Sequence, residues 1–115
     1  MKKFLILYLA PVSVVDEWKK TNPETRMVAE QKMQGEWHKW MNDHAKMLTD
    51  KGAGVGRTKR ISPQGTADAR NDIMLYAIVE AESHDAAAKA FHGHPHLQIP
   101  KSSIEVMEIN PLPGM

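Results

Sequence analysis

Phe4-Leu5-Ile6-Leu7-Tyr8-Leu9 is apolar at every position, and its reading decides the fold. The run is too short for a buried helix, and unbroken apolarity at this length is the pattern of a β-strand covered on both faces. Met1-Lys2-Lys3 in front of it imitates the charged start of a secretory signal. The apolar run is at the minimum length for that, Pro11 ends it, and no clean small-x-small cleavage site follows, so a strand is expected. Ile73 to Val79 repeats the pattern and predicts a second central strand.

The segments around these strands supply the remaining elements. Ala10 to Asn22 reads as irregular, with at most a helical turn opened by Ser13 and Asp16. Asn22-Pro23-Glu24 is helix punctuation: an N-cap, a proline at the first position and a carboxylate at the positive end of the dipole. The spacing predicts a helix from there to about Lys51, capped by Gly52, with Met33, Trp37, Trp40, Met41, His44, Met47 and Leu48 as its buried stripe. Ala53 to Ile61, with Arg57, Lys59 and Arg60, reads as a charged edge strand. Ser62 to Asn71 holds Pro63 and Gly65 and reads as a mobile loop. Ser83 is placed to cap a short helix from His84 to about His92, Gly93-His94-Pro95 stops it, and Ser103 to Ile109 supplies the last strand.

The expected architecture is therefore α+β: a ferredoxin-like βαββαβ order, giving a four-stranded antiparallel sheet with two helices on one face. Helices cover one face only, yet both central strands are apolar on both. A second copy of the same sheet is the simplest cover, which predicts a homodimer through the sheet faces.

Composition narrows the function classes. The 115 residues make one α+β domain, residues 1–115, with no room for two cores. A formal net charge of +1 leaves no electrostatic footprint for nucleic acid or an anionic membrane. No stretch is apolar enough to cross a bilayer. The chain has no cysteine, which excludes disulfides, thiolate catalysis and cysteine-ligated zinc and points to a reducing, cytoplasmic setting.

Trp37-His38-Lys39-Trp40-Met41, Leu48-Thr49-Asp50-Lys51-Gly52 and Tyr76-Ala77-Ile78-Val79-Glu80-Ala81 come in that order, followed by Gly93-His94-Pro95-His96-Leu97 and Ser103-Ile104-Glu105-Val106. Taken together they resemble the YCII-related family, over nearly the whole of Leu5 to Ile109. The resemblance implies the dimeric α+β-barrel form of the ferredoxin-like fold. It also implies activity on small ring compounds, with a histidine–aspartate pair as the acid–base site.

Several residues are candidates for that chemistry. His44 falls on the apolar stripe, four residues after Trp40, where a neutral imidazole suits a general base; the competing reading is a core histidine bonded to a backbone carbonyl. Asp50, expected in the last helical turn, opposes the dipole there, as a functional carboxylate sometimes does. His92, His94 and His96 alternate, and imidazoles ligate metals, but no fourth ligand stands by, so neither metal nor cofactor is expected. His94 is the second candidate base and His96 a ligand contact at a pocket rim. Tyr8, Trp37 and Trp40 would wall a pocket between the long helix and the sheet, bordered by His44 and Gly93–Leu97. Gly52-Ala53-Gly54-Val55-Gly56 follows a helix rather than opening one, which argues against a phosphate loop. The functions in competition are a small-molecule-binding protein acting by acid–base catalysis, a non-catalytic binding or accessory module, and a cofactor-free or haem-linked monooxygenase on the same fold.

Overall fold

The structure, a computed structural model, describes residues 1–114. It is an α+β fold: a four-stranded antiparallel sheet, a separate two-stranded sheet and three α-helices. Strand β1 (Lys2–Leu9) runs into α1 (Val12–Lys19). Sequence periodicity predicted only an irregular segment or a single turn here. The cap explains the difference: Pro11 has no side chain to offer, but Asp72 accepts the Val12 N–H at 3.3 Å and, through its carbonyl, the Ala10 N–H at 2.9 Å. A residue far along the chain thus starts the helix.

Helix α2 (Pro23–Asp43) begins as its punctuation predicts, with the Asn22 side chain accepting the N–H of Glu24 at 2.8 Å and of Thr25 at 3.4 Å. It stops at Asp43, well short of the expected Lys51. Met47 and Leu48 continue the apolar period, yet the sheet claims them: Glu80 N–H donates to the Met47 carbonyl at 2.8 Å, and Leu48 pairs with Val79. Leu48–Gly54 is edge strand β2, so Asp50 lies in a strand and not in a helical turn.

Gly52 is not the helix cap either. It has φ +76° inside a strand that bulges twice against its neighbour, and a Cβ there would lie 1.6 Å from the Tyr76 carbonyl oxygen. Close backbone approach demands glycine at this position.

The expected edge strand from Ala53 to Ile61 is broken, and the expected loop is half strand. β3 (Thr58–Ser62) and β4 (Gly65–Ala69) make a hairpin with Pro63-Gln64 at its tip. Cross-strand pairing overrides the polar composition; the Lys59–Asp68 ion pair at 2.6 Å is part of it.

β5 (Ile73–Ala81) is followed by α3 (His84–Ala90), where the Ser83 hydroxyl accepts the Ala86 N–H at 3.0 Å as predicted. The helix ends before His92. A 3-10 turn (Pro95–Gln98) then leads to β6 (Ser103–Glu108). The sheet order is β2-β5-β1-β6.

Alternation along the central strands divides the two faces. Phe4, Ile6 and Tyr8 of β1 and Ala77, Val79 and Ala81 of β5 are buried beneath Trp40 of α2 and Ala87 of α3. Leu5, Leu7 and Leu9 point the other way with Tyr76 and Ile78, all half-buried, beside the exposed Glu105 and Met107 of β6. Among the described residues, the buried core draws its members from the helix-covered face of the sheet.

Candidate functional site

The 3-10 turn builds the most unusual feature of the interior. His94 is its N-cap: Nδ1 accepts the backbone N–H of His96 at 3.0 Å, which leaves the ring proton on Nε2. His96 donates from Nε2 to the carbonyl of Leu9 at 2.8 Å, tying the turn to the end of β1 and leaving Nδ1 as an acceptor. Both imidazoles are fully buried, and His94 Nε2 and His96 Nδ1 have no hydrogen-bond partner. One is an unused donor, the other an unused acceptor.

Aromatic rings pack around them. Trp37 and Trp40 stand edge-on to His94 at 4.5 and 4.6 Å between centroids, and Tyr8 is tilted against it at 5.2 Å. Phe91 closes the cluster against Trp40 at 4.9 Å. His44 stacks on Trp40 at 4.1 Å, half-buried, and its Nδ1 donates to the Trp40 carbonyl at 2.8 Å. That bond fixes the tautomer and leaves Nε2 as the basic nitrogen.

Burial sets the protonation of the group. Loss of solvent first, then the proximity of His96 and His44, hold the His94 imidazole down at about 4. Burial lowers His96 as well, opposed by its hydrogen bond to the Leu9 carbonyl, and pushes the Tyr8 phenol up. At neutral pH these are neutral rings in an apolar setting.

Six of the expected site residues therefore meet: Tyr8, Trp37, Trp40, His44, His94 and His96. Asp50 does not join them by any hydrogen bond or ion pair. It is exposed, and its carboxylate accepts the Gly52 N–H at 2.7 Å, securing the bulge of β2. His92 and His38 are exposed. Among the described residues no group of three or more histidine and carboxylate side chains could hold a metal ion. None of the described helices is long and apolar enough to cross a membrane.

Where a pocket was expected these rings pack against one another, and an open space lies beside them. A cavity of about 860 Å³ separates α1, the first half of α2 and the segment after the 3-10 turn, walled by Val14, Trp18, Met33, Met74 and Ile99. Met33 is one helical turn from Trp37, and Gln98 at the cavity edge bonds Glu36 from the same turn that carries His96. Sequence reasoning missed Trp18, Met74 and Ile99, and also Phe91. Trp18 carried a signal, an aromatic in a segment expected to be irregular.

No protein-family model matches the chain, and no curated protein matches it.

Proposed function

We propose that the chain is a homodimeric small-molecule-binding protein of the YCII-related type, a ferredoxin-like domain whose ligand occupies the apolar cavity between α1, α2 and the segment after the 3-10 turn. The cavity carries this reading. Its volume of about 860 Å³ and its chiefly apolar walls with a few polar groups suit a metabolite-sized molecule, for which pockets of roughly 300–1,000 Å³ are usual.

The sheet order β2-β5-β1-β6, with helices in the connections, supports the ferredoxin-like reading. Surface area supports the dimer. The chain exposes 8480 Å², whereas a compact monomer of 12.9 kDa exposes about 6300 Å². The radius of gyration, 16.2 Å, likewise exceeds the ~13 Å of a compact chain of this length. The excess of roughly 2200 Å² is ample for one side of a stable interface. The apolar face of Leu5, Leu7, Tyr76 and Ile78 is where a second sheet fits.

Calorimetric titration with 4-phenylbutyramide, a neutral aromatic probe, tests the cavity. Binding should be lost in Met33→Trp, which fills the space, while the light-scattering mass stays that of the wild type. Undiminished binding to Met33→Trp would refute the assignment.

One observation favours a second reading, proton-transfer catalysis on a small ring compound. Around Trp40, the bond from His44 Nδ1 to a carbonyl leaves its Nε2 for a ligand, and His94, whose Nδ1 accepts, presents Nε2 as a hydrogen-bond donor. In that reading a ligand reaches them by displacing part of the ring cluster.

A further inference from the structure

A second cavity, of about 610 Å³, lies between α1 and the base of the β3–β4 hairpin. Val15 and Met74 line both cavities, so the two adjoin across these side chains. Helix α1 forms the divide. Val14, Trp18 and Thr21, spaced four and three apart, line the apolar cavity, while Val12, Val15 and Lys19 line the other.

The two spaces differ in charge. The apolar cavity is edged by Glu17, Glu30, Lys32 and Lys101, two groups of each sign. The second has Lys19, Arg57, Lys59 and Arg70 against the single carboxylate of Asp68. Two of these cations are engaged: Lys59 with Asp68 at 2.6 Å, and Arg70 with Asp16 through a two-pronged contact at 2.8 and 3.1 Å. Lys19 and Arg57 make no ion pair among the described residues. Thr58 and Asn71, bonded to one another at 3.4 Å, add neutral hydrogen-bonding groups to the same wall.

We infer that the ligand is an amphipathic anion, with a ring or short-chain body in the apolar cavity and a carboxylate or phosphate end between Lys19 and Arg57. The inference rests on the proposed reading of the apolar cavity as the ligand site. An apolar body gains from removing its surface from water, whereas an anion against the apolar walls would lose hydration with only Lys101, at the cavity edge, as a cation unpaired among the described residues. The neighbouring space supplies the recompense, because an anion there meets two cations that no ion pair among the described residues engages. Exposed charges contribute modestly, so the anionic end adds selectivity to affinity supplied by the body.

Calorimetry at low ionic strength on wild type and on the double variant Lys19→Gln/Arg57→Gln tests this, with 4-phenylbutyrate, 4-phenylbutyl phosphate, 4-phenylbutyramide and acetate as probes. The acid should bind wild type about fivefold more tightly than the amide, as two exposed ion pairs allow. The double variant should lose that advantage while binding the amide unchanged, and acetate, lacking the body, should bind far more weakly than 4-phenylbutyrate. Comparison of carboxylate with phosphate tells which anion the site prefers. If neither anion binds better than the amide, if the advantage survives the double substitution, or if acetate equals phenylbutyrate, the inference is overturned while the apolar cavity stands. Absence of binding by amide and anions alike would overturn both.

Discussion

His94 Nδ1 accepts the backbone N–H of His96 at 3.0 Å, and each of the two buried rings keeps one nitrogen without a partner. Such rings resist protonation, because a charge on either would be buried beside Tyr8 and Trp37. His94 is held at about 4, against an ordinary value of 6.5. Between those values the unfolded chain takes up a proton that the folded chain refuses, so stability falls as pH falls through this window. For His94 alone the loss is roughly 3 kcal/mol across the full window. His96, also lowered, acts in the same direction. Urea unfolding at pH 7.5 and 4.5 should show this loss; equal stability at the two would mean that the rings are not held neutral.

Gly52→Ala should be among the most damaging single changes. Its φ of +76° disfavours a side chain, and the added Cβ would meet the Tyr76 carbonyl oxygen at 1.6 Å. The edge strand must separate from β5 to admit it, a cost of about 3 kcal/mol or more. A variant with an unchanged melting temperature would show that β2 does not approach β5 as described.

The elements that were legible in the sequence are those whose signals are local. Asn22 and Ser83 cap helices with their own side chains, and the two-faced apolarity of Phe4–Leu9 and Ile73–Val79 marks central strands whatever lies around them. Illegible features depend on partners distant in sequence. Met47 and Leu48 continue a helical stripe until β5 pairs with them, and α1 begins where Asp72 happens to meet Val12. The ring cluster was legible because Trp37, Trp40 and His44 share one helix face. The cavities were not, since they depend on where α1 lies against residues distant in sequence, Met33 and Ile99 on one side and the hairpin base on the other.

Leu7 and Ile78 lie on the sheet face away from the helices. Leu7→Asp should therefore separate the proposed dimer without unfolding the protomer. Light scattering should give twice 12.9 kDa for wild type at micromolar concentration and 12.9 kDa for the variant, with an unchanged far-ultraviolet dichroism spectrum. A monomeric wild type would remove the reason to call this face an interface.

The hydrogen bonds of the histidines assign opposite tautomers. Long-range proton–nitrogen correlation spectra at neutral pH should show His44 protonated at Nδ1 and His94 at Nε2. The reverse assignment at His44 would leave no basic nitrogen free and would end the proton-transfer reading.

Methionine methyl groups report most directly on where a ligand sits. Met33 and Met74 line the apolar cavity, whereas Met41 and Met47 pack against the hydrophobic core that holds Tyr8, Trp40 and Phe91. In a protein labelled with 13C at the methionine methyls, and assigned by single Met→Leu changes, 4-phenylbutyramide should shift the Met33 and Met74 signals and leave Met41 and Met47 in place. Shifts confined to Met41 and Met47 would put the ligand among Trp37, Trp40 and His94, and would contradict the cavity as the binding site.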